Sequence, residues 1–127
     1  MSKRPEIENP SRYVIQEHQA SDGVHWDLML QRDDCLWTWR MDRPPVKIGD
    51  APLPLEKIAD HPLRFLTYEG PVQNGTGSVR IADHGTIELT EQTPDLLTVA
   101  FDGQHLKGRF NLRKTDTAQH WTLSRQH

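Results

Sequence analysis

Cysteine is nearly absent: Cys35 is the only one in 127 residues. A disulfide framework and a CxxC metal site are therefore excluded, and a reducing, cytoplasmic setting is expected. Long apolar runs are missing as well. No stretch approaches the ~20 residues needed to span a bilayer, and residues 1–10 have no apolar centre for a signal sequence, so no membrane partner is expected. Positive charge is not in excess, since 15 Lys and Arg against 18 Asp and Glu leave a net −3. Without a global basic footprint, any contact with phosphate has to come from a local patch. GxSxG, P-loop and dinucleotide fingerprints are absent, which removes the usual hydrolase elbow and nucleotide cradles.

What is present is alternation. Apolar residues make up 35% and charged residues 26%, the balance of a small domain with a thin core, and four Trp, three Phe and two Tyr are spread over alternating segments. Such segments cover residues 12–18, 25–31, 35–41, 78–82, 86–89, 96–101, 105–113 and 121–125, with turn dipeptides Asp22-Gly23, Asp33-Asp34, His84-Gly85 and Asp102-Gly103 between them. Prolines 44, 45, 52 and 54 predict a long loop over 43–55, and 55–59 reads as a short helical turn. Residues 1–11 read as a mobile arm before one domain over 12–127. Short strands at this spacing point to an antiparallel barrel or sandwich.

The chemistry concentrates in residues 16–31. His25 and Asp27 are two apart and share one strand face, while Trp26, Leu28 and Leu30 share the other. With His18 on the preceding strand they make a candidate three-ligand set of nitrogen and oxygen donors, suited to a cation such as Mn or Zn. The same residues also fit the solvated face of an ordinary hairpin. His61, between Asp60 and Pro62, reads either as a loop histidine or as a proton donor or phosphate ligand. Lys107, Arg109 and Arg113 share a strand face that could track phosphate only if that strand lies beside the hairpin. Trp37 and Trp39, on one side of a strand with few charges between them, read as core rather than as a base-stacking platform, and Cys35 as a small buried or edge residue.

Several collinear blocks resemble the 3′-phosphoesterase domain of bacterial DNA ligase D. They are Arg12-Tyr13-Val14-Ile15-Gln16-Glu17-His18, His25-Trp26-Asp27, Asp60-His61-Pro62-Leu63, Tyr68-Glu69-Gly70, Asp83-His84-Gly85, Leu106-Lys107-Gly108-Arg109-Phe110 and Trp121-Thr122-Leu123. The resemblance implies an all-β fold: a compact antiparallel β-barrel of about eight strands, with long loops and little helix. It implies one divalent ion, Mn-type with Zn the alternative, held by His18, His25 and Asp27. His61 would contact the scissile phosphate, with Gln16 as a supporting polar residue. The implied substrates are DNA or RNA-tailed DNA 3′ ends in nonhomologous end joining, with a separate ligase or polymerase as partner to a stand-alone, divergent relative.

Two positions depart from the family pattern. Met29 stands where an Arg usually follows the metal Asp, and Phe65 where a Tyr usually follows the phosphate His. Neither side chain can bond a phosphate as Arg or Tyr would, which leaves Arg40 and Arg64 as candidate replacements. Three readings follow: a metal-dependent 3′-end phosphoesterase, an end-binding module without turnover, and a phosphoesterase for another small phosphorylated substrate.

Overall fold

The computed structural model describes residues 11–126. They form nine strands: β1 (Ser11–Ala20), β2 (Gly23–Arg32), β3 (Cys35–Met41), β4 (Leu53–Pro62), β5 (Gly70–Val72), β6 (Gly77–Thr93), β7 (Leu96–Gly103), β8 (Lys107–Lys114) and β9 (His120–Arg125). Among the described residues helix is limited to short 3₁₀ turns at Pro45–Lys47, Leu63–Leu66 and Gln73–Gly75. The strands are ordered β1-β2-β3-β4-β9-β8-β7-β6, and pairing of β1 with β6 closes them into an eight-stranded antiparallel barrel; β5 pairs outside it on β6. Among the described residues no helix is long and apolar enough to cross a membrane.

Alternation decides the inner face. Tyr13 and Ile15 of β1, Leu28 and Leu30 of β2, and Trp39 and Met41 of β3 join Leu53, Leu55, Val99, Phe101, Phe110 and Leu112 in one buried core. A smaller cluster lies on the outside of the β1–β2–β3 wall. There Val14, Met29 and Leu36 are covered by Leu66, with Leu63, Phe65 and Ile81 against them.

Several expectations are corrected. Residues 55–59 are not a helical turn but part of β4, because Leu53 and Leu55 alternate with Pro54 and Glu56 and pair with Leu123 and Trp121. Period two overrides the local proline signal there. Residues 78–82 and 86–89 are one strand, and His84-Gly85 is no turn: a Cβ on Gly85 would lie 2.2 Å from the carbonyl oxygen of Asp102. That glycine permits close approach of β7, not reversal of the chain. The arm expected over 1–11 lies outside the described residues except for Ser11, which already pairs with Ile87. The first hairpin is also tighter than the 19–24 loop expected, turning at Ser21-Asp22 with Gly23 at φ 134°.

One buried carboxylate ties the barrel together. Asp83 is fully buried. It accepts the Tyr13 hydroxyl at 2.6 Å and the backbone N–H groups of His84, Gln104, His105 and Leu106 at 2.9–3.0 Å. Five donors compensate a charge that would otherwise be costly to bury. Asp83→Ala strands those donors and is expected to lower unfolding free energy by about 3–5 kcal/mol in urea denaturation. Burial, followed by the hydrogen bond to Asp83, holds the Tyr13 phenol far above its ordinary range. The folded phenol thus keeps its proton where the unfolded chain loses it. Its contribution is complete below pH ~10 and declines above it by about 1.4 kcal/mol per pH unit; in paired denaturation series, Tyr13→Phe should lack that part of the alkaline slope.

Candidate active site on the outer face of the barrel

Antiparallel pairing places the candidate residues. In the β1–β2 hairpin His18 is directly opposite His25 and Gln16 opposite Asp27, and on the next strand Arg40 is opposite Asp27. Directly opposed residues share a face. All five therefore stand on the outer face of the wall, beside the small second core. Strand β4 then returns His61 to a position opposite Leu36 of β3. The segment from Leu63 to Gln73 forms the far side.

Gln16, His18, Asp27, His61, Arg64 and Phe65 thereby line one cavity of about 290 Å³, with Pro71, Val72, Gln73 and Val79. His25 and Arg40 stand next to it without lining it. The His25 ring lies edge-on to His18 at 5.3 Å between centroids, and Arg40 Nε donates to Asp27 Oδ1 at 3.3 Å. Arg109 is elsewhere: β8 pairs with β7 and β9, not with the hairpin, so the condition for a phosphate-tracking stripe is not met. Cys35 is also off the cavity, and burial together with the Asp60 carboxylate raises its thiol pKa, the reverse of what a nucleophile needs.

Each polar group has a defined job. The Gln16 amide donates from Nε2 to the carbonyl oxygens of Phe65 at 3.0 Å and Tyr68 at 2.9 Å, so it pins the far side to the barrel. His61 Nδ1 lies 3.0 Å from both Ala59 O and Thr38 Oγ1. A carbonyl only accepts, and the Thr38 hydroxyl donates to Leu36 O at 3.1 Å. This network assigns the ring proton to Nδ1 and leaves Nε2 for a ligand. Thr38 went unnoticed in the sequence; its parity with Arg40 put it on the right face, but its side-chain contact with His61, across a register shift between β3 and β4, is tertiary. The Arg64 guanidinium stacks on Phe65 at 4.5 Å and Tyr68 at 5.2 Å, which orders a cation at the cavity edge.

The donor set fits a divalent cation by type. Asp27 is buried, His18 Nδ1 stands 4.0 Å from its Oδ2, and His18 Nε2 and His25 Nδ1 are buried nitrogens with no partner. Burial, and then the Arg40 guanidinium, hold the His25 imidazole below its ordinary range, favouring the neutral form that a ligand requires. Among the described residues, however, no three His, Cys, Asp or Glu side chains converge as a finished ligand set. His25 Nε2 faces Asp22 at 3.8 Å, and Arg40 occupies one oxygen of Asp27.

The family model of the DNA ligase D 3′-phosphoesterase domain matches residues 16–114, a span that contains every residue of this cavity. The chain belongs to that family. It is 31% identical over 113 residues to the multifunctional non-homologous end joining protein LigD of Pseudomonas aeruginosa, an alignment covering 83% of this chain and 13% of that protein. The chain thus spans a small part of its relative's length. Within the family frame, Met29 is no accident of the surface, since it is buried under Leu66 in the second core.

Gln16→Ala should free the two carbonyls it holds. The expected result is faster amide hydrogen exchange over residues 65–70 and a loss of about 1–2 kcal/mol in unfolding free energy, two hydrogen bonds' worth.

Proposed function

We propose that this protein is a metal-dependent phosphoesterase that processes DNA 3′ ends, removing a 3′-phosphate or 3′-ribonucleotide during end joining. The observation that carries this reading is that His18, Asp27, His61 and Arg64 line a single cavity in a chain of the 3′-phosphoesterase family. His18, His25 and Asp27 would hold the ion, Mn by preference and Zn as alternative. When bound, the ion supplies Lewis acidity toward phosphoryl oxygen and a more acidic water.

The chain's own residues account for the remaining needs. Arg64, stacked on two rings, presents a fixed positive charge to an anionic end. His61, its Nδ1 proton committed to Ala59 and Thr38, can exchange a proton only through Nε2: as the imidazolium it would give that proton to a leaving oxygen and return to the neutral Nδ1–H tautomer. Gln16 is a positioning residue through the Phe65 and Tyr68 carbonyls. Arg40 pairs with Asp27 Oδ1, and would be available to phosphate if that carboxylate took up an ion.

A second reading, an end-binding module without turnover, draws on Met29, which is sequestered in the second core and leaves the phosphate one cation short of the family pattern. One assay separates the two. Purified protein with added Mn is given a DNA primer-template ending in a 3′-phosphate or a 3′-ribonucleotide, and phosphate or nucleoside release is followed. Turnover that falls at least about 100-fold in His61→Ala supports the enzyme; binding of the same ends without product supports the module. His18→Ala should also abolish stoichiometric Mn binding in titration calorimetry. Unchanged metal content in that variant removes the proposed ligand set.

A further inference from the structure

A second cavity, of about 590 Å³, opens at the end of the barrel where the β6–β7 turn folds over it. Its walls include Trp37 and Trp39 of β3, Trp121 of β9 and Lys57 of β4, with Gln92 and Pro94 at the turn. The strand β3 separates it from the outer site, because Trp37 and Trp39 face inward while Thr38 faces His61. Trp39 belongs to the buried core, with Lys57 over its ring and Trp121 edge-on to it, so the indole surface open to this cavity is that of the half-buried Trp37 and, to a smaller extent, of Trp121. An aromatic face of this kind captures planar heterocycles whatever their edge pattern. The size lies within the range of small-molecule sites, and barrel mouths are common places for them.

Charge at the rim narrows the class. Arg32, the last residue of β2, stacks its guanidinium on Trp37 at 5.2 Å and donates from Nη2 to Gln92 at 2.7 Å. Its Nε has no hydrogen-bond partner, and among the described residues no carboxylate pairs with it. Lys57 lies over the Trp39 ring at 5.3 Å, balanced by Asp60 at 3.5 Å. A cation held against an indole and lacking a counter-charge matches a ligand that is both aromatic and anionic. We propose that the barrel mouth binds a single nucleotide unit, its base against the indoles of Trp37 and Trp121 and its phosphate on Arg32. This site is independent of the outer cavity and of the reaction assigned to it.

The test is titration of the intact chain with 2′-deoxyadenosine 5′-monophosphate, reading the four indole N–H resonances by NMR. Saturable shifts of Trp37, Trp39 and Trp121 are expected, with Trp26 unmoved, since Trp26 pairs with Met41 at the other end of β2. Arg32→Gln should weaken binding about tenfold, as loss of a charge-assisted contact does, and His61→Ala in the outer cavity should leave the shifts intact. Inorganic phosphate and unphosphorylated deoxyadenosine should each bind more weakly than the nucleotide. The proposal is overturned if the three indoles do not move, if His61→Ala abolishes their response, or if inorganic phosphate reproduces it. It is equally overturned if a tryptophan-bearing peptide moves the same resonances at lower concentration than the nucleotide.

Discussion

The pairing of β1 along both of its edges is the constraint on which the rest depends. One edge bonds β2 and the other β6, and the second pairing is what turns an open sheet into a barrel. A strand bonded on both sides cannot slip by one residue without turning every side chain over. Tyr13 and Ile15 are thereby held inward, and Val14, Gln16 and His18 outward. The one irregularity lies between Ile15 and Gln16, where β6 carries an extra residue. It lets Asp83 face the interior beside Ile15 while Ile81 faces outward beside Gln16, so a single bulge serves both the structural carboxylate and the site wall.

The outer face is more than the solvated side of an amphipathic sheet. A second core of Val14, Met29, Leu36 and Leu66 seats the Leu63–Leu66 turn on the barrel, and the Gln16 amide bonds the backbone just beyond it. The polar cavity exists because that turn stands over the wall. Its residues are accordingly buried to an unusual degree for a hairpin surface, with Gln16, His18 and Asp27 all below a tenth exposed. Low solvent access strengthens every electrostatic contact made there. It also explains why Asp27 recruits Arg40: a buried carboxylate without a cation would be strongly disfavoured.

Met29 shows how the fold and the chemistry compete for one position. On the outer face, two residues beyond Asp27, a side chain either reaches toward the cavity or packs under the turn. Methionine, flexible and apolar, does the second. Cationic character at the site then comes from Arg64, whose guanidinium is ordered by stacking on Phe65 and Tyr68. Phe65 thus acts by ring face and backbone carbonyl, not through a hydroxyl.

Period-two alternation by itself determined the all-β class, the strands other than β4 and β5, the inward faces of β1 to β3 and the shared face of His25 and Asp27, because these depend only on the geometry of an extended chain. Collinear motifs added the family. The segments misjudged were those where a local signal opposed a long-range one: prolines at 52 and 54 hid the start of β4, and Gly85 resembled a turn although β7 needs its missing Cβ. Only the tertiary structure decided that His61 and Arg64 meet His18 and Asp27 and that Arg109 does not, since strand order is not written in spacing. It also decided that Asp83 is a structural hub, and that Asp27 is shared between His18 and Arg40. Those outcomes rest on contacts between residues far apart in the chain, and such contacts are settled by barrel closure and register rather than by any local pattern.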